Sequence, residues 1–239
     1  MKTRIYLFTV IAFPMMLLFS SCTNEDKAGN TEFIANAGII HNQLLDHYYG
    51  NRTNVHPDAG EMISEVIRLS SGEMINMGYD EEIVLSAEKV LEARYAPSHL
   101  KSVMSSDYSI DLESLSQQLE QTGLYSDLFI EEVEKVLEMV AENVKIPTIS
   151  DYVNTNFAYL VFQNKHDQQG QMLFTNVFNA SYAYWTEDRN SNLKTLKLSD
   201  RSKVIINDGI GGLLGLVFGP AGSVITATVF SVGTNEEIK

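Results

Sequence analysis

The chain has one cysteine, one tryptophan and five prolines in 239 residues, and no run of five or more Lys and Arg. A lone cysteine excludes a disulfide framework within the chain and any zinc site built on several thiolates. With 17 Lys and Arg against 31 Asp and Glu, the net charge of −14 leaves no electrostatic footprint for phosphate backbones, so nucleic acid is not an expected partner. No stretch alternates apolar and polar residues long enough to demand a strand, which points to an all-α fold. What is present, 44% hydrophobic and 20% charged residues, is the composition of a globular protein.

Lys2 and Arg4 open the chain, a 15-residue apolar stretch runs from Ile5 to Phe19, and Ser20 and Ser21 precede Cys22. This is the layout of a secretory leader, too short for the roughly 20 apolar residues of a membrane span. Residues 1–21 read as the leader. Residues 22–30 read as a polar tether and 31–239 as a single helical domain. The placement of Cys22 after Phe19-Ser20-Ser21 resembles the lipobox of bacterial lipoproteins, with Phe where Leu is usual. That resemblance implies that Cys22 becomes the lipidated first residue and that the membrane is reached through its lipid. Asn24-Glu25-Asp26 resembles the surface-export signal of Bacteroidetes lipoproteins and implies the outer membrane, on its periplasmic or cell-surface side. Without residues 1–21 the net charge is 15 − 31 = −16. An acidic body is repelled by anionic headgroups, so the lipid rather than the protein surface must do the anchoring.

Phe33, Ile34, Ala37, Ile40, His41, Leu44, Leu45 and Tyr48 follow helical spacing up to Gly50. A second helix runs from Pro57 toward Gly78. A third is capped by Asp80, with Glu81 and Glu82 at its positive end, and stops before Pro97. Residues 111–122, ended by Gly123, and 127–144 supply two more. The longer one turns Val133, Val136 and Leu137 inward and Glu131, Glu132, Glu134 and Glu138 outward. Thr148 and Asp151 approximate a capping box for a helix to about Asn164, and His166–Trp185 reads as the next. Asn192–Leu198 reads as a short strand or loop. From Pro57 to Glu142 there are 19 acids and 5 bases. No EF-hand pattern organises them, so a solvated face explains them better than a calcium site.

Chemistry-bearing constellations are scarce. His41 and His47 are the only histidine pair inside one helix, and six residues leave them about 120° apart around the axis, which cannot serve one metal. A histidine on the stripe of Ile40, Leu44 and Tyr48 reads as a satisfied core residue. Neither His-Glu-x-x-His nor Gly-x-Ser-x-Gly occurs. No catalytic residue, metal ligand or cofactor is assigned, and the reading leans away from an enzyme. Nine of the 23 aromatics lie between Tyr152 and Trp185. Phe174, Phe178, Tyr182 and Trp185 step by four, four and three, the stripe of a buried helix face. The alternative is a sugar-stacking platform with Trp185 as its ligand-facing ring.

Ile210–Gly233 is the most unusual segment, with no charge, 13 apolar residues and six glycines in 24 positions. Gly211, Gly215 and Gly219 repeat every four residues and resemble a glycine zipper. Pro220 interrupts the run and splits it into halves of about 11 residues. Residues 204–232 then form either a hairpin buried in the bundle or a membrane-inserting hairpin, with the three glycines as its packing or insertion face. The lipobox, the Ile40-His41-Asn42-Gln43-Leu44-Leu45-Asp46 helix and this late Gly-rich segment together resemble uncharacterised Bacteroidetes lipoproteins. The resemblance implies no known activity. The expected molecule is an all-α multi-helix bundle with a C-terminal Gly-rich apolar helical hairpin. Its expected role is an interaction or structural module with a possible protein partner, and the alternatives are a membrane-active protein and a glycan binder.

Overall fold

In a computed structural model of the chain, residues 28–52, 59–95, 112–186 and 198–237 are described. The leader, Cys22, most of the tether, Pro57, His56, Pro97, His99 and the 192–197 stretch lie outside them. Every regular element among the described residues is helical. These are α1 (Ala28–Asn51), α2 (Ala59–Asn76), α3 (Glu81–Arg94), α4 (Leu112–Thr122), α5 (Asp127–Ala141), α6 (Ile146–Thr155), α7 (Lys165–Thr186), α8 (Leu198–Gly215) and α9 (Gly219–Glu237). Single 3₁₀ turns stand at Phe157–Tyr159 and Leu216–Phe218. The molecule is an all-α bundle, and α1 begins three residues inside the stretch read as tether.

Local chemistry sets most helix ends. The Asp80 carboxylate accepts from Ile83 N at 3.1 Å and opens α3. Ser126 caps α5 through Phe129 N, and is itself fixed by Asp167 of α7, which accepts from Ser126 N at 2.9 Å and from its hydroxyl at 2.7 Å. This buried carboxylate ties the start of α5 to the start of α7. Both ends of α6 differ from the sequence reading. α6 opens at Ile146 with Pro147 in its first turn and no side-chain cap, so Thr148 and Asp151 are not its capping box. It also ends at Thr155 rather than near Asn164. Asn154 donates to Ser150 O and Thr155 to Asp151 O, so side chains compete for carbonyls of the last turn. Beyond it, Gln171 of α7 donates to Phe157 O at 2.6 Å and to Leu160 O at 3.0 Å, and Gln168 donates to Phe162 O at 2.8 Å. Those carbonyls are held outside a helix by a neighbour that local sequence does not reveal. Glu132, read as outward, is only 9% exposed, lying between Lys135 and the Tyr152 hydroxyl.

The apolar faces of the helices converge on one core that contains α8 and α9. These two run antiparallel: Gly215 faces Gly222 and Ser223, Gly211 faces Thr226 and Ala227, and Asn207 Nδ2 donates to Thr234 Oγ1 at 2.9 Å. A Cβ on Gly215 would collide with Gly222 O and come within 2.7 Å of Ser223 Cα; one on Gly211 would sit 2.9 Å from Thr226 O. Both positions require glycine because backbone meets backbone there. Gly219 plays another part. It has φ +83° and no heavy atom within 4 Å of an added Cβ, so it is the reversal of the hairpin rather than a third packing position. The arms, 18 and 19 residues, are longer than the halves of about 11 read from the proline alone.

Helix directions define two ends of the bundle. Asn176 of α7 donates to Ile34 O, Asn42 of α1 donates to Ala180 O, and the Tyr184 hydroxyl donates to Asp46, so α1 and α7 run parallel. α8 opposes α7, with Gly209 on Phe174 and Gly170 beside Leu213. Asn235, late in α9, donates to the Tyr49 hydroxyl near the close of α1. The starts of α1 and α7 and the tip of the hairpin therefore share one end.

The close approach makes a sharp contrast between neighbouring glycines. Gly215→Ala should lower stability by about 1–3 kcal/mol through overpacking. Gly212→Ala, whose Cβ would lie an ordinary 3.7 Å from Leu173, should be neutral or stabilising, since Ala is favoured over Gly within a helix by about 0.5–1 kcal/mol. Urea midpoints of the two variants read the difference, and equal losses at both positions would remove this account of the hairpin.

Candidate functional site: a buried polar cluster around Asp208

Four helices bring polar side chains to one point inside the apolar core. α8 contributes Asp208, α1 contributes His41, α7 contributes Ser181 and Trp185, and α9 contributes Ser231; none is more than 1% exposed. Ser181 Oγ donates to Asp208 Oδ2, Trp185 Nε1 donates to the same oxygen at 3.2 Å, and His41 Nε2 stands 3.6 Å from it. Burial in apolar surroundings is expensive for a carboxylate, and it pushes Asp208 well above the usual carboxylate range. Hydrogen bonds from Ser181 and Trp185 offset this in part.

The state of His41 follows from its neighbour. Asn42 spends its amide N–H on Ala180 O at 3.0 Å, so its Oδ1 is left to accept, and His41 Nδ1 at 3.1 Å must be the donor. In neutral imidazole that leaves the lone pair on Nε2 facing Asp208. A lone pair opposite an ionised carboxylate is repulsive, which adds to burial in favouring the protonated acid. Burial holds His41 down at about 4, so its imidazole is neutral above that. Asp208 Oδ1 and His41 Nε2 receive no hydrogen bond from the described residues. The cluster can hold and exchange a proton, but it is closed to solvent and presents nothing to a substrate.

The sequence-assigned residues fare differently. Gly211 and Gly215 are brought together with α9, and Gly219 turns the hairpin. Trp185 is 1% exposed with its N–H spent on Asp208, so it offers no ring face to a ligand; it lies in the core, as its helical stripe indicates, and not on the alternative sugar-stacking platform. Phe174 and Phe178 are buried with it, as their spacing requires. His41 is buried as read but only half satisfied. His47 lies on another side of α1, 3.0 Å from Glu73. Among the described residues no three His, Cys, Asp or Glu side chains are grouped to hold a metal. Asp208, Ser181, Ser231 and Gly38 escaped the sequence reading. Asp208 carried a signal, since it is the acid directly ahead of the uncharged Ile210–Gly233 run. Gly38, in contact with the backbone of Asn176 where α1 crosses α7, carried none.

The Ile40–Asp46 helix and the hairpin that holds the Gly-rich run thus meet at His41 and Asp208. Comparison with known proteins returns no match: no family model, no curated protein and no solved structure resembles the chain.

The buried pair gives a pH signature. His41 is a base with a lowered folded value, so its contribution is complete above 6.5 and is lost as pH falls from 6.5 toward 4. Asp208 is an acid with a raised value, so its contribution is complete below 3.8 and is lost as pH rises above that. From about 4 to 6.5 the two effects oppose each other, and above 6.5, where the His41 contribution is complete, the loss that remains with rising pH belongs to the buried acid. Asp208→Asn, permanently neutral, should lack that loss in urea midpoints compared across this range. Equal declines in both proteins would show that Asp208 is not their source.

Proposed function

We propose that the chain is an envelope lipoprotein whose helical body serves as an interaction or structural module on the outer membrane. In this reading residues 1–21 are removed and acylated Cys22 carries the body, several acyl chains together giving stable anchoring. The order of charged start, apolar stretch, small residues and single cysteine supports the anchor. The choice of module over membrane-active protein is carried by one observation: the Gly-rich hairpin is enclosed in the core, its arms closed on each other and on α1 and α7. A protein partner fits a body whose polar cluster is sealed.

A membrane-active reading has a specific observation in its favour. Arg201–Asn235 is apolar enough to cross a membrane, with mean hydropathy 1.8 in its best 18-residue stretch. Its arms, at 1.5 Å per residue, are each about 27–28 Å long, close to the hydrocarbon thickness. Against it stand Asp208 within the first arm and the 67% of that stretch buried inside the protein. Glycan binding loses its proposed platform with Trp185 in the core.

Mass spectrometry of membrane-extracted protein should find a lipid-modified N-terminus at Cys22, and Cys22→Ala should move the protein to the soluble fraction. An unmodified chain starting elsewhere would remove the anchor. Intact protein should cause no leakage from dye-loaded liposomes; leakage would make membrane perturbation the better account.

A further inference from the structure

We propose that the bundle end bearing the hairpin tip and the Phe157–Phe162 loop is a membrane-contact surface that lays Tyr159 and Val161 into the headgroup region of the bilayer. This rests on the lipid anchor at Cys22 proposed above.

Tyr159 and Val161 are 79% and 81% exposed, the two most exposed large hydrophobics among the described residues. They are held rigidly. Phe157 and Phe162 on either side are buried, with Phe157 against Phe129 and Phe174, and Phe162 against Phe129. Gln171 and Gln168 fix the carbonyls of Phe157, Leu160 and Phe162. The loop therefore needs little ordering on contact, which favours binding through few residues. Tyr, with an apolar ring and a polar tip, suits the level of lipid headgroups.

The same end gathers other apolar groups. Leu128, 55% exposed, follows the Ser126 cap that Asp167 ties to the start of α7. Leu216, Val217 and Phe218 at the hairpin tip are half-buried, and the Arg94 guanidinium lies 5.5 Å from the centre of the Phe218 ring. In a chain of net charge −14, Tyr152–His166 contains no Asp or Glu and Ile210–Gly233 contains no charge at all. Acids at this end are Asp127 beside Leu128, Glu32 at the start of α1, and Asp167, which is buried and bonded to Ser126. The loop and the tip themselves carry no acid, so these two stretches add nothing to the repulsion that anionic headgroups exert on the body.

The anchor decides which surface meets the lipid. α1 starts at this end, and from Cys22 to Ala28 there are 28 − 22 = 6 residue steps. Even fully extended, six steps span at most about 22 Å, so acylated Cys22 holds this end, and not the far one near Asn51, beside the bilayer.

The full chain, processed in a lipoprotein-competent bacterial host, would carry one nitroxide at a new cysteine, Tyr159→Cys, Val161→Cys or, at the far end, Asn51→Cys. Acylation leaves no other thiol. In phosphatidylethanolamine and phosphatidylglycerol vesicles, labels at 159 and 161 should show several-fold greater collision with oxygen relative to a water-soluble nickel complex than the label at 51. Mass spectrometry of the same samples separates the two readings. Protein acylated at Cys22 and bound to vesicles with all three labels equally exposed to nickel overturns the contact surface and leaves the anchor standing. Dipolar broadening between labels at 159, without shielding from nickel, gives the patch to a second copy and also overturns it. Protein unmodified at Cys22 and free of vesicles overturns both.

Discussion

The constraint on which the bundle depends is the contact of the α8 and α9 backbones at Gly211 and Gly215, and the rest of the bundle is arranged around it. Any side chain at these two positions would strike peptide groups of the opposite arm. With hydrogen atoms there, the arms close until Asn207 reaches Thr234, and both arms turn apolar residues outward on all sides. A hairpin hydrophobic all round must be covered on all sides, by protein or by lipid. Here α1, α2 and α7 supply the cover, and small residues recur where they come closest, as at Gly38 against α7 and Gly209 under the Phe174 ring. The small-residue packing that joins helices in lipid thus works equally well inside a protein core, because in both settings dispersion contact needs close backbones.

An apolar hairpin with a smooth glycine face is poorly specified in rotation and register, and the polar cluster answers that weakness. Asp208 is the one acid set among these apolar faces, and it meets Ser181, Trp185 and His41 from two other helices. Slipping α8 by one residue would swing the carboxyl by about 100° into apolar surroundings with nothing to bond it. The cost falls on the wrong arrangements more than it favours the right one, and a buried polar group often acts in that way to select one packing. Its burial keeps the cluster from acting on anything outside, since none of its members is more than 1% exposed.

The bundle also has an inherent polarity. Parallel α1 and α7, with α8 opposed to them, collect the start of the body, the rigid Phe157–Phe162 loop and the hairpin tip at one end. Residues 57–142, which hold α2 to α5, carry 19 acids against 5 bases, while Tyr152–His166 and Ile210–Gly233, which form the loop and the tip, carry no acid.

Periodicity alone determined the helical class and most helix faces, because apolar residues at i, i+3 and i+4 leave one buried stripe wherever they occur. Asp80 before Glu81 and Glu82 marked a helix start for the same local reason, and the Phe174, Phe178 and Trp185 stripe declared itself as core. Sequence also showed that Gly211, Gly215 and Gly219 formed a set. It could not separate the two that pack from the one that turns, since φ at Gly219 depends on where the returning arm lies. Only tertiary structure decided the partners: that Gln171 would capture carbonyls beyond α6 and end it early, that Glu132 would lie under Tyr152, and that Trp185 would spend its N–H inside. His41 and Asp208 stand 167 positions apart (208 − 41) and face each other only because helix packing places them 3.6 Å apart. Local spacing records which face of a helix is apolar; it holds no record of which distant residue that face will meet.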